Sequence, residues 1–345
     1  MKSKSTATSK DLALAAGVSQ ATVSRVFRGE ENVNAETRQR VLDAAKLIDY
    51  RPNALARAMR TSRLGVIGVV VARLSNPLYT EILCALNEVL AHKGLKVVLW
   101  DTEGTGEVAA IDAISQSLVD GLIFAAVTRN SPVLHEAIRA SAPLVLINRT
   151  IDDLSCDQVS SDNHAGGRAV ASYLLDHGKR RIGFISGSLD VSTVRDREAG
   201  FLEAMAERGQ EIETSMIRRV PFSHESGRSA MQSLLDLSDP PDAVFCANDL
   251  LALGALDGAY ERGCRVPEDC WIMGFDDVEQ ASWSTLSLTT VRQPVQKIVE
   301  DGVNLLLERL AEPALEPRRI VHPVDLMIRR STARARLGTN DEAKT

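Results

Sequence analysis

The chain has 345 residues, 44% of them apolar and 25% charged, with a net charge of −6. That length exceeds one ordinary domain, and the composition excludes a disordered chain; no apolar run approaches the ~20 residues of a membrane-spanning helix, so no membrane partner is expected. The charge is split: 12 Lys/Arg face 6 Asp/Glu through residue 63, and 28 face 40 in the remainder, the pattern of a basic head that binds a polyanion on an acidic body.

The first ten residues are polar and lack the apolar segment of a secretory signal, which predicts a cytoplasmic protein. Residues 1–63 read as helical. Ser9 is placed to cap a first helix over 10–16, followed by Gly17-Val18. Ser19 caps a second to about residue 27, and Asn34 a third to about residue 48, with Glu36 in its acidic first turn. Tyr50-Arg51-Pro52 ends that run, since proline cannot continue a helix but suits the start of one, and 53–60 reads as a helix of only about two turns.

From residue 64 the texture changes. Apolar runs over 66–72, 96–100, 121–126, 144–148, 182–186, 243–247 and 271–275 alternate with helical stretches at 78–93, 164–177, 193–208, 224–237 and 250–262. Continuous apolar strands between amphipathic helices predict two parallel, doubly wound sheets, one in each of two lobes. The expected division is a helix-turn-helix domain over 1–50, a hinge over 51–63 and a core over 64–336 with a loose polar tail over 337–345. The first lobe takes 64–161 and 292–320, the second 162–291 and 321–332. Five widely spaced cysteines, Cys84, Cys156, Cys246, Cys264 and Cys270, lack metal-ligand spacing and read as reduced, mostly buried small hydrophobes.

The segment 11–25 carries the logic of a DNA reader. Ala15, Val18 and Val23 are small or apolar where two helices must cross steeply, and Gly17 allows the tight turn between them. The second helix then offers Ser19, Gln20, Ala21, Ser24 and Arg25 on one side. Arginine donates bidentately to guanine and glutamine pairs with adenine.

Three spaced blocks make a closer match: Asp11-Leu-Ala with Ala-Gly-Val-Ser and Thr-Val-Ser-Arg, then Val33-Asn-Ala-Glu-Thr-Arg38, then Tyr50-Arg-Pro-Asn-Ala-Leu-Ala-Arg-Ala-Met59. In these blocks the chain resembles the LacI/GalR family of repressors. The resemblance implies that Gln20, Ala21 and Arg25 occupy major-groove reading positions. It implies that Thr8, Ser19, Thr22, Ser24, Asn34 and Thr37 hold phosphates or frame the reading helix. Asn53, Ala56 and Met59 match a hinge helix that enters the minor groove, with methionine where the family usually has a leucine wedge. Ala21 cannot hydrogen-bond a base, so Gln20 and Arg25 carry the direct reading. A hinge helix of about eight residues is below the ~12–15 needed for stability in water, so it is expected to form only when paired and pressed on DNA.

The core extends the resemblance over about residues 8–332. Leu74-Ser-Asn-Pro-Leu-Tyr79, Gly187 to Phe201, Ala247-Asn-Asp249 and Gly274-Phe-Asp-Asp277 fall at strand ends, where open α/β sheets bind ligands. The match implies that Leu78, Tyr79, Asp162, Thr193, Arg197, Phe222, Asn248, Asp276 and Gln293 line an effector cleft. Arg149, with Arg195 beside it, is a further candidate that would favour an anionic ligand. Asp, Asn and Arg beside an aromatic ring suit a polyhydroxylated ligand, so a carbohydrate is expected. Val191 replaces an arginine of purine-responsive relatives, which argues against a purine.

The implied partners are a pseudo-palindromic DNA operator, a small effector and a second copy of the chain, since one reading helix makes half a site. The rival reading is an extracellular solute-binding protein, which shares the two-lobed core but needs a signal and no basic head. Motifs for zinc proteases, phosphate loops, serine hydrolases and dinucleotide binding are missing from the sequence, so no catalytic residue, metal or cofactor is expected.

Overall fold

The computed structural model describes residues 7–27, 32–50, 63–103 and 106–332. Thr8, not the expected Ser9, caps the first helix, α1 (Ser9–Ala16). Its hydroxyl accepts from the Asp11 amide, and the Asp11 carboxylate accepts from the Thr8 amide at 2.8 Å. This reciprocal box satisfies two amides that one serine at position 9 would leave open. Gly17 ends α1 at φ 63°, a left-handed turn open to glycine at no steric cost.

Ser19 caps α2 (Gln20–Phe27) by accepting from the Thr22 amide, and Asn34 caps α3 (Ala35–Leu47) by accepting from that of Thr37. Leu12, Ala13, Ala16, Val23, Val26, Val41, Ala44 and Ala45 form the small core among them. Ala15 is exposed, and Ala16 takes the packing place expected of it. Arg38 and Arg40 donate from α3 to the Val26 and Ala16 carbonyls, closing the carboxyl ends of α2 and α1. The hinge positions Asn53, Ala56 and Met59 and the tail over 337–345 lie outside the described residues.

The chain divides into two compact units, through Leu64 and from Gly65. The second unit opens with β1 (Val66–Val71), α4 (Pro77–His92), β2 (Lys96–Asp101), α5 (Gly106–Ser115), β3 (Gly121–Phe124), α6 (Pro132–Arg139), β4 (Leu144–Ile147) and β5 (Asp157–Ser161). With β11 (Arg319–His322) they form a six-stranded sheet in the order β11-β5-β4-β3-β1-β2, parallel throughout. Side chains alternate across it. Ile67, Val69, Ile123, Val145 and Ile147 face one side, toward α4 and α11 (Val295–Ala311), while Val70, Leu122, Phe124, Leu144 and Leu146 face α5 and α6. Burial on both faces is why these strands read as unbroken apolar runs.

The second sheet, in the order β7-β6-β8-β9, contains β6 (Ile182–Ser186), β7 (Ile217–Arg219), β8 (Ala243–Cys246) and β9 (Trp271–Met273). The helix α7 (Asn163–Asp176) leads into β6, and α8 (Ser192–Glu207), α9 (His224–Leu235) and α10 (Asp249–Glu261) connect the four strands. Gly167 and Gly200 let α7 and α8 touch backbone to backbone, for a Cβ on either would lie 2.0 Å from a carbonyl of the other helix. Phe184, Phe201 and Phe245 stack at the centre, with centroids 5.1–5.5 Å apart.

The chain passes between the lobes three times. The first crossing follows Ser161 and the second follows β10 (Thr290–Arg292), which pairs antiparallel with β12 (Asp325–Met327). The third falls after His322, two residues later than expected, because the whole of β11 pairs with β5. The crossings are tied together: Ser161 donates to Gln293 Oε1 at 2.8 Å, and the Asp162 amide to the His322 carbonyl at 2.7 Å. Only Cys246 and Cys270 are fully buried; Cys84 is exposed and Cys156 and Cys264 are half-buried, so the cysteines are less buried than their residue type suggested. Among the described residues no helix is long and apolar enough to cross a membrane, and no group of His, Cys, Asp and Glu is arranged to hold a metal.

Candidate functional site

In the head, Gln20, Ala21 and Arg25 are exposed on α2 and Ser19 at its cap, with Thr22 and Ser24 half-buried beside them and Val23 and Val26 turned into the core. Several of these side chains also hold the helices in place. The Ser19 and Thr22 hydroxyls lie 3.0 Å apart, Gln20 Nε2 donates to Ser9 Oγ at 3.4 Å, and Thr8 and Asn34 are spent on caps. The Asp11 carboxyl sits below its usual range because the Thr8 amide and hydroxyl both donate to it. A short polar helix is thus presented, fixed at its start, with the Arg25 guanidinium and the Gln20 amide on exposed positions.

In the core, the strand ends of both lobes converge on a cleft. Arg197, on α8, is buried with a partner at each nitrogen: Nε donates to Asn163 Oδ1 at 2.8 Å, Nη1 to the Ala247 carbonyl at 2.6 Å, and Nη2 lies 3.2 Å from Asp276 Oδ1. Its guanidinium stacks 3.6 Å from the Phe275 ring. Burial pulls its pKa below the usual range, opposed by the Asp276 and Asp249 carboxylates. Asp276 is held at φ 126°, a conformation costly for any residue but glycine, and accepts from Gln293 Nε2 at 2.7 Å. Desolvation pushes Asp276 up to about 6 and Asp249 up to about 7, the second also because Asp276 lies near it.

Eight of the ten candidate effector residues line one inner cavity: Leu78, Tyr79, Arg149, Thr193, Arg197, Phe222, Asn248 and Asp276. Asp162 and Gln293 do not. Asp162 caps α7, accepting from the Ala165 amide at 2.8 Å, and Gln293 bridges Ser161 to Asp276 behind the cavity wall. Asn248 both lines the cavity and caps α10. The structure adds Asn76 and Asn148 to the lining and Asn163 behind Arg197, none of them singled out in the sequence. Asn148, at φ 68° directly after β4, was the one with a signal, being a polar residue at a strand end beside Arg149.

The inner cavity has a volume of ≈ 20 Å3, room for about one water. A sugar-sized ligand therefore requires the lobes to part. The Glu279 amide donates to Glu81 at 2.9 Å, the Thr150 amide to Ser192 Oγ at 2.9 Å, and Arg195 pairs with Asp152 at 3.1 Å, each joining one lobe to the other. Outside this closure an open cavity of ≈ 1090 Å3 shares Arg149 and Phe222 with the inner one.

Residues 8–53 match the model of bacterial regulatory proteins of the lacI family, and 171–332 that of the periplasmic binding protein-like domain. The HTH-type transcriptional repressor PurR of Pasteurella multocida is 35% identical over 331 residues, covering 94% of this chain and 98% of its own. The chain belongs to the lacI family. Membership makes it a DNA-binding transcriptional regulator, with the helix-turn-helix head and two-lobed core of that family. Another relative, the repressor CytR of Escherichia coli K12, is 33% identical over 333 residues, covering 96% of this chain and 98% of its own. Among solved structures, the lac repressor dimer bound to operator and the anti-inducer ONPF superposes with a TM-score of 0.80 at 27% identity, covering 95% of this chain and 99% of that one. The regulator CelR in complex with cellobiose gives 0.73 at 31% identity, over 94% and 99%. Family members of known structure thus include proteins solved with an operator and with a sugar.

Proposed function

We propose that this protein is a repressor that reads a pseudo-palindromic operator as a homodimer and is switched by a small polyhydroxylated effector closing between the core lobes. The observation that carries the reading is the exposed face of α2, where Gln20 and Arg25 project from a helix capped by Ser19 and backed by Val23 and Val26. Gln20 and Arg25 read bases, Ala21 packs against a thymine methyl, and Thr8, Ser19, Thr22, Ser24, Asn34 and Thr37 meet phosphates or frame the helix. Asn53, Ala56 and Met59 are assigned to the minor groove on sequence grounds alone.

Dimerisation is supported by β2, an edge strand on which Val98 and Leu99 are 39% and 41% exposed, with Val108 at 63% on the helix packed against it. A continuous apolar run predicts burial on both faces, and its exposure here marks a surface awaiting cover. The effector reading draws support from the paired Arg197 and Asp276, which supply adjacent donors and acceptors, and from the CelR–cellobiose relative. The relatives it matches are repressors, not enzymes, and we assign no catalytic role.

Replacing Arg25 by alanine should weaken specific operator binding by about 1–3 kcal/mol, with a smaller loss on random DNA. Fluorescence anisotropy with both DNAs decides it. An equal loss on the two would reduce Arg25 to a phosphate contact and remove the direct reading.

A further inference from the structure

Five arginines line the open outer cavity, and four have a carboxylate. Arg73 meets Glu103 at 2.8 Å, Arg129 meets Asp153 at 2.9 Å, Arg195 meets Asp152 at 3.1 Å, and Arg219 meets Glu198 at 2.5 Å. Arg149 is the exception. It is 8% exposed, its Nε has no hydrogen-bond partner, and among the described residues no carboxylate forms an ion pair with it. The lining's own carboxylates, Glu103, Glu107 and Asp190, leave it alone. The contrast with Arg197, as deeply buried and bonded through all three nitrogens, is direct.

A buried N–H without a partner is unfavourable, and a guanidinium cannot escape by losing its proton. Arg149 lines the outer cavity, where an anion would supply the counter-charge that the chain does not. A second feature points to the same place. The helices that start from Asn76, Asp162 and Asn248 each carry a side-chain cap, whereas α8 starts from Val191, which supplies none. That bare helix start, 16 residues long behind it, adjoins Arg149 through the bond from the Thr150 amide to Ser192 Oγ. An unfilled helix start and an unpaired arginine together make a receptor for an anion.

We infer that the effector carries an anionic group, a carboxylate or a phosphate, held between Arg149 and the start of α8, while its hydroxyls reach Arg197, Asn248 and Asp276. Arg149 and Phe222 border both cavities, so an anion in the outer one and a polyol in the inner one belong to one molecule. The inference rests on reading the cleft as the effector site.

The test uses full-length wild type and Arg149→Met, which keeps bulk and removes charge. Thermal unfolding is followed with inorganic phosphate, gluconate, glucose 6-phosphate or glucose, each against potassium chloride of equal ionic strength. Phosphate and at least one of the anionic sugars should raise the wild-type Tm by several degrees, glucose should not, and R149M should lose the shift while being no less stable on its own. Phosphate and glucose 6-phosphate acting without gluconate identify a phosphoryl group; gluconate acting best identifies a carboxylate. If R149M does not fold, Arg149→Lys replaces it and should keep part of the shift. The inference is overturned if no anion stabilises the wild type, if the variant shifts equally, or if glucose alone acts. Operator binding measured with the same compounds separates the two readings: an anion that stabilises through Arg149 and leaves operator affinity unchanged preserves the anion site and defeats the switch.

Discussion

The head and the core use polar side chains in opposite ways. In the head, groups assigned to DNA stand in solvent and cap their own helices, so the reading surface is complete before DNA arrives. In the core, Arg197, Asp276 and Gln293 are buried and bonded to one another, with Arg149 left unpaired beside them, so the inner cleft is closed without a ligand and must be opened to admit one. Their carboxylates show the same contrast. Hydrogen bonds pull Asp11 down, while burial pushes Asp249 and Asp276 up. A regulator built this way keeps its recognition element rigid and places its alternative states where buried polar bonds can be exchanged.

The comparison is most easily broken at Arg197. Arg197→Met would leave Asp276 buried without its cation, and removing one partner of a buried pair costs about 3–5 kcal/mol. All three tryptophans, Trp100, Trp271 and Trp283, lie in the core, so urea unfolding followed by their fluorescence reports the core alone. A loss below about 1 kcal/mol, the range of exposed pairs, would mean that the cleft is solvated and not closed.

The next effect is one of pH and has opposite signs in the two units. Asp249 accepts from Thr290 Oγ1 at 2.6 Å and from the Val278 amide at 3.0 Å, yet burial lifts it to about 7. The folded core therefore holds protons that the unfolded chain releases near 3.8, the ordinary value of an aspartate. Stability from these groups is fully present below that value and is lost as pH rises through about 6 and then about 7. The urea midpoint of the core should fall between pH 5 and pH 8, and Asp249→Asn should flatten the fall. An unchanged slope in the variant would remove Asp249 from the account.

Much of this organisation is legible in the sequence, for a physical reason. Buried parallel strands must be apolar on both faces, so six of them stand out as runs. The runs overreach at their carboxyl ends because Ala72, Ala125, Ala126 and Ala247 stay apolar after the ladder stops, in the turns that border the cleft. β5 has no such signature. Its sequence is Asp-Gln-Val-Ser-Ser, yet every residue is buried, with Asp157 held by Arg309 and the Arg318 amide and Gln158 bonded to Ile151 and Leu154. Those partners lie far away in the chain or in an irregular loop, and no local pattern encodes them. Asn163 is hidden for the same reason. It meets Arg197 only because Gly167 and Gly200 bring two helices into backbone contact.

The smallest effect discriminates between neighbours in the head. Thr8→Ala removes a cap worth about 1 kcal/mol, which should lower hydrogen-exchange protection across α1 about fivefold. Ser9→Ala removes only the 3.4 Å contact from Gln20 and should stay within about 0.5 kcal/mol of wild type. The Thr8 box also sets the head's acid response. Asp11, depressed by the Thr8 amide and hydroxyl, contributes stability above its unfolded value that is lost as pH falls through its lower folded value. Acidification thus loosens α1 while it tightens the core, and exchange at α1 in Thr8→Ala should show less of that acid loosening than wild type. If Ser9→Ala, not Thr8→Ala, unprotects α1, the cap belongs where the sequence alone placed it, and the preformed head loses its main fastening.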